Sequence, residues 1–244
     1  MGRIIILLYG VVTYVMFLGT FLYAIGFVAD FYVPKTVNTG EAGPLMPALL
    51  INALLLGLFA IQHSIMARPG FKERWTKIIP AAAERTTFVL LTNLLLMLIF
   101  WQWRPMAGVA WDLSGGGLGT ALWVLHGLGW FVVLISTFAI NHFDLFGLRQ
   151  VYLNFKGQEY THLDFKKTGL YGMVRHPIML GFVMAFWTVP TMTYASLFFA
   201  VMTTGYILVA LQIEEGDLMK AHPDTYGQYR KEVSMLVPLP KGKS

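Results

Sequence analysis

The longest stretch without a charged side chain is PIMLGFVMAFWTVPTMTYASLFFAVMTTGYILVALQI, Pro177 to Ile213. As one α-helix at about 1.5 Å per residue it would be nearly twice as long as the roughly 30 Å hydrocarbon core of a bilayer. Pro190, followed by Thr191, Met192 and Thr193, interrupts it, because proline removes an N–H and clashes with the preceding turn. The stretch therefore reads as a hairpin: a short helix from Pro177 to about Val189, then a longer one to about Glu214.

Four more charge-free stretches precede it: Ile4 to Ala29, Leu45 to Ala67, Thr86 to Trp103 and Leu118 to Phe143. Each suits one crossing of about 20 residues. The first is too long for the core of a signal peptide and lacks a cleavage site. Composition agrees: 56 % of the 244 residues are hydrophobic and only 13 % charged, about half the charge of a soluble domain, with a mean hydropathy of +0.60. The expected fold is all-α, a polytopic membrane bundle of about six transmembrane helices, four plus the C-terminal hairpin, in one integral membrane domain spanning residues 1–244.

Charge gives this bundle a sidedness. With the N-terminus inside, the cytoplasmic segments hold Arg3; Arg68, Lys72, Arg74, Lys77 and Arg85; Arg149, Lys156, Lys166, Lys167 and Arg175; and Lys220, Arg230, Lys231, Lys241 and Lys243. Only Lys35 and Arg104 fall outside. The bias follows the positive-inside rule and places both termini in the cytoplasm. It also accounts for the net charge of +5 without nucleic acid. The chain has no cysteine, so disulfides, thiolate metal sites and a cysteine nucleophile are excluded. Gly115-Gly116-Gly117-Leu118-Gly119 follows no strand and reads as a flexible outer loop, not a dinucleotide site.

The polar chemistry gathers on the cytoplasmic side. Five of the six histidines, His63, His142, His162, His176 and His222, lie in or beside cytoplasmic segments; His126 lies within a helix and reads as a packed residue satisfied by a neighbour. In Thr168-Gly169-Leu170-Tyr171-Gly172-Met173-Val174-Arg175-His176-Pro177, Pro177 suits the first helical turn and puts His176 at the N-cap. Helix-start N–H groups reinforced by Arg175 would make an anion site, and a basic interfacial anchor is the plainer alternative. Glu214-Glu215 closes the long helix, where carboxylates oppose the helix dipole, so a cation is expected beside them: Arg175, Arg230 or a ligand's own charge. Tyr226 and Tyr229 serve either as belt residues or as aromatic faces for a cationic ligand. Asn141-His142-Phe143-Asp144 and Gln62-His63-Ser64 end two further helices and form candidate walls of a pocket, with polar helix ends as the plainer reading. No HExxH and no paired histidine boxes are present, so no metal is expected.

Arg175-His176-Pro177 with Gly181, followed by Glu214-Glu215, Tyr226-x-x-Tyr229 and Pro238, resembles the membrane methyltransferases related to isoprenylcysteine carboxyl methyltransferase. Asn141 to Gln150 (NHFDLFGLRQ) and Arg175 to Phe182 look like the bacterial branch of that family that methylates methanethiol. The resemblance implies S-adenosylmethionine as methyl donor, a small-molecule thiol as partner in the bilayer, dimethyl sulfide as product, and a site facing the cytoplasm from the inner membrane. It implies that residues 168–244 hold the donor, with Tyr171, Arg175 and His176 on one side and Glu214, Glu215, Tyr229 and Arg230 on the other. Met179 stands where the wider family often has tyrosine, so that contact does not carry over.

A thiol is mostly protonated at neutral pH, so a base or thiolate-stabilising group is expected. The candidates are His142, oriented by Asp144, and His63, with Asn141 in the same cluster as His142. Other lipid-soluble acceptors (an isoprenylated thiol or carboxylate, a phospholipid amine) stay open. The C-terminal region also resembles NADPH-dependent membrane sterol reductases, whose cofactor phosphates would demand more basic residues than Arg175, Arg230 and Lys231. A transporter or membrane subunit would place ionisable groups in mid-helix, where apart from His126 there are none. Oligomeric state is not legible.

Overall fold

Pro190 ends the first arm of the C-terminal hairpin, and a strand follows it where the sequence suggested only a turn. The computed structural model describes residues 2–161 and 169–238. Of the residues singled out above, His162, Lys166, Lys167, Thr168, Lys241 and Lys243 lie outside these. The elements run α1 (Gly2–Ala29), α2 (Leu45–Ala67), α3 (Pro69–Trp75), α4 (Ala81–Gln102), β1 (Val109–Asp112), α5 (Gly116–Ile140), α6 (His142–Leu145), α7 (Leu148–Lys156), α8 (Leu170–Met173), α9 (Pro177–Trp187), β2 (Thr191–Thr193), α10 (Tyr194–Ala221) and α11 (Pro223–Glu232). β2 pairs antiparallel with β1, Trp111 opposite Met192, and the Pro190 carbonyl accepts from the Leu113 N–H at 3.0 Å. Thr193 then caps α10, its hydroxyl accepting from the Ser196 N–H at 3.0 Å. The glycine run expected to be a loop instead opens α5 from Gly116 onward.

Among the described residues five helices, α1, α2, α4, α5 and α10, are long and apolar enough to cross a membrane. The first four are the four single crossings expected from the sequence. The hairpin is also present, but α9 has 11 residues, about 16 Å, roughly half a hydrocarbon core. The chain is an all-α integral membrane protein. Its surface is inverted relative to a soluble fold: Leu50 and Leu54 are 64 % and 72 % exposed while Asn52 between them is 0 %. Lipid gives apolar side chains no reason to withdraw, so small and polar residues take the helix contacts. In α1, accordingly, Gly10, Thr13 and Thr20 are buried while Val12 and Leu22 face outward.

The described residues fall into two compact units by their internal contacts. In the unit built from α1 to α4 with α6 and α7, α1 packs on α4 and α7, and α2 packs on α4. The other holds the strand pair, α5 and α8 to α11, and its main contact is α5 against α9. There Gly129 and Gly181 let two backbones touch. A Cβ at Gly129 would lie 2.6 Å from the Ala185 nitrogen, and one at Gly181 would lie 2.6 Å from the Gly129 carbonyl oxygen. His126 completes the contact, as its packed role suggested: its Nδ1 lies 2.8 Å from the Ala185 carbonyl and its Nε2 accepts from Trp130 Nε1 at 3.1 Å.

Because the obstructing atoms are backbone, Gly181→Ala is expected to destabilise the detergent-solubilised protein by about 1–3 kcal/mol, read as a lowered melting midpoint. Gly205→Ala, where a Cβ meets nothing within 4 Å, should keep the wild-type midpoint. Equal midpoints for the two variants would contradict the close approach.

Candidate active site

Pro177 occupies the first turn of α9 with His176 as N-cap, as the sequence implied. The His176 side chain makes no capping bond; it turns toward α10. Ahead of it, Val174 to His176 run extended and are held by the chain that leaves α11. Val174 pairs with Ser234 in a parallel bridge, the Arg175 N–H donates to the Ser234 carbonyl at 2.8 Å, and the His176 N–H donates to the Met235 carbonyl at 3.2 Å.

Glu215 is the centre of this arrangement. Only 5 % exposed, its Oε1 accepts from Arg175 Nε at 2.7 Å, Arg175 Nη2 at 2.6 Å and His176 Nε2 at 3.1 Å. Its Oε2 lies 3.5 Å from Arg230 Nε. The cation expected beside the carboxylate pair is therefore the protein's own. Arg175 Nη1 donates to the carbonyls of Arg230 and Val233, so every guanidinium nitrogen is engaged within the protein. Arg175 thus braces Glu215 and the tail, rather than standing open to an anion. Glu214 differs: its side chain is half-exposed, with His176 Nδ1 at 3.9 Å. Arg230 is also more than half exposed.

Three tyrosines surround the cluster. The Tyr229 hydroxyl donates to the Tyr171 carbonyl at 2.6 Å, and burial, outweighing the opposing Arg175 charge, pushes its pKa up to about 12. Burial also raises Tyr171 and Tyr226. All three are neutral donors at physiological pH. The buried Tyr226 hydroxyl lies near Arg175, yet no well-aligned hydrogen bond closes on it. Tyr226 was read from the sequence only as a belt or aromatic residue, so this hydroxyl is an addition.

The four remaining candidates, His142, Asp144, His63 and Asn141, belong to the other compact unit. Asn141 caps α6, its Oδ1 accepting from the Asp144 N–H at 3.1 Å. His142 is buried and its Nε2 lies 2.8 Å from the Tyr14 hydroxyl. Burial holds its pKa below the usual imidazole range, so the ring is neutral at pH 7. Asp144 was expected to orient His142; its carboxylate instead meets Arg149 Nη1 at 3.0 Å and the Tyr160 hydroxyl at 3.2 Å. The basic Arg149, with its guanidinium over the Tyr160 ring, is the stronger claim on that charge. His63 lies 3.3 Å from the Thr92 hydroxyl and stacks on Phe59. Tyr14 was missed; its signal was a phenol inside a charge-free helix, where the hydroxyl needs a partner.

The chain is 55 % identical over 240 residues to the methanethiol S-methyltransferase of Mycobacterium tuberculosis, covering 98 % of each chain. It is 51 % identical to methanethiol S-methyltransferase 2 of Bradyrhizobium diazoefficiens, covering 97 % of this chain and 91 % of that one. It is 49 % identical to the methanethiol S-methyltransferase of Crocosphaera subtropica, covering 100 % and 96 %. No family model and no solved structure matches the chain. The helices and these relatives define a membrane-embedded methyltransferase. More narrowly, the chain belongs to the methanethiol S-methyltransferase family.

Removing one partner of a buried ion pair leaves the other charge uncompensated, at about 3–5 kcal/mol. Glu215→Ala is expected to cost the fold that much in denaturant titration of the detergent-solubilised protein. Glu214→Gln, at a half-exposed side chain, should stay within about 0.5 kcal/mol of wild type. A Glu215→Ala variant as stable as wild type would contradict the bracing role.

Proposed function

We propose that this methyltransferase transfers the methyl group of S-adenosylmethionine to methanethiol, giving dimethyl sulfide, at the cytoplasmic face of the inner membrane. The observation that carries the reading is the near full-length similarity to methanethiol S-methyltransferases at about half of all positions. The residues around Glu215 fit the donor. It combines a carboxylate, an ammonium and a cationic sulfur, and the exposed edge of the cluster offers both signs: Glu214 and Arg230. The buried Tyr226 hydroxyl without an aligned partner is what a polar ligand group would satisfy. The donor supplies an electrophilic methyl on a sulfonium.

The chain's own residues have the remaining tasks. Glu214 takes the ammonium, Arg230 the carboxylate, and Tyr226 a third polar contact. Glu215, paired with Arg175 and hydrogen-bonded by His176, keeps α10, the start of α9 and the tail in register so that those contacts converge. In-line displacement requires little more than such alignment. His142, neutral at pH 7 and hydrogen-bonded at Nε2 to Tyr14, is the proposed acceptor of the thiol proton. Methanethiol is small and apolar and reaches the protein through the bilayer. The basic loops support the cytoplasmic orientation, with both termini inside.

Purified protein given methyl-labelled S-adenosylmethionine and methanethiol should release labelled dimethyl sulfide into the headspace, measured by gas chromatography with mass detection. Labelling of an isoprenylated thiol or a phospholipid amine instead, with no dimethyl sulfide, would overturn the acceptor. Since His142 must be neutral to accept a proton, kcat/KM should fall as pH drops through a value below 6.5. His142→Ala should lower kcat/KM by roughly 10²-fold and remove that acid limb. An unchanged rate and profile would exclude His142 as the base.

A further inference from the structure

Lys35 and Arg104, the two basic residues that the charge distribution leaves on the outer side, line one cavity of about 380 Å³. Each is set in place by a side chain of a membrane helix. The Tyr23 hydroxyl donates to the Lys35 carbonyl at 3.0 Å and accepts from the Lys35 N–H at 3.2 Å. The buried Asn52 amide donates to the Arg104 carbonyl at 2.8 Å and accepts from the Arg104 N–H at 2.9 Å. Lys35 Nζ donates to the Trp101 carbonyl, which leaves two ammonium N–H donors. Among the described residues neither cation forms an ion pair with a carboxylate. Burial and the Arg104 charge hold the Lys35 ammonium below its usual range.

The remaining walls say what kind of anion fits. Pro47 and Ile51 of α2 line the cavity, and Leu45, Met46 and Leu50 beside them are exposed apolar residues of a helix long enough to span a bilayer. Glu41 lines the same cavity, so a ligand with only negative charge would face repulsion from one side. We propose that this cavity binds the headgroup of a membrane phospholipid, with its phosphate between Lys35 and Arg104 and its ammonium toward Glu41. The favoured class is an amine-bearing phosphodiester, phosphatidylethanolamine over phosphatidylglycerol. The lipid acts here as a bound structural ligand and not as a methyl acceptor.

The test is thermal unfolding of the delipidated full-length protein in detergent with added phosphatidylethanolamine, phosphatidylglycerol or inorganic phosphate. Phosphatidylethanolamine should raise the midpoint most, phosphatidylglycerol less, and inorganic phosphate not at all. The Lys35→Ala/Arg104→Ala variant should bind phosphatidylethanolamine about tenfold more weakly, as expected for losing charge-assisted hydrogen bonds, while still methylating its thiol acceptor. Glu41→Gln should abolish the preference between the two lipids; it also decides the matter if the double variant does not fold. Equal stabilisation of wild type and double variant, a lipid preference that survives Glu41→Gln, or inorganic phosphate matching the lipid would each overturn the proposal.

Discussion

Glu215 carries a charge into a place where charge is expensive, and the C-terminal half of the chain is arranged around satisfying it. Desolvating a carboxylate costs several kcal/mol, which is recovered only with close, well-directed donors. Here Arg175 and His176 supply three of them to one oxygen. Those two residues are adjacent, so the donors arrive together with the extended segment that starts α9. The same Arg175 reaches the carbonyls of Arg230 and Val233, and the backbone of that segment takes the carbonyls of Ser234 and Met235. One buried carboxylate therefore ties α10, the start of α9 and the chain beyond α11. Glu214, one residue earlier, keeps half its surface open.

The membrane part follows a different economy. Apolar side chains face outward at no cost, so packing is decided by how closely backbones approach and by buried polar groups that find partners. Gly129 against Gly181 and His126 against the Ala185 carbonyl seat α9 on α5. That contact holds a helix too short to span a bilayer by itself, and through Pro177 it fixes where Arg175 and His176 begin. The glycine four residues after Pro177 in the family's motif thereby acquires a packing reason.

The crossings were legible because lipid imposes a long charge-free run that no local feature can imitate, and Pro190 marks its own break. His176 as N-cap was legible from the proline rule. The cation beside Glu215 was expected from a helix end at that carboxylate pair, whereas α10 runs on to Ala221, and it is the burial of Glu215 that calls for the cation. The pairing of β1 with β2 was not, since strands of four and three residues far apart in sequence carry no periodicity to read. Nor were Tyr14 against His142, or Arg149 and Tyr160 against Asp144: local reading pairs Asp144 with its neighbour His142, whereas tertiary packing offers it a full positive charge. That Arg175 is used up inside the protein was equally hidden, because a sequence shows which charges are present but not which are already spent on one another.

Isothermal titration of S-adenosylmethionine into the detergent-purified full-length protein tests the central claim most directly, with NADPH titrated in parallel and Glu214→Gln as the variant that should fold normally. The account predicts saturable binding of S-adenosylmethionine, weakened in Glu214→Gln, and no heat from NADPH. Saturable binding of NADPH without binding of S-adenosylmethionine would contradict it.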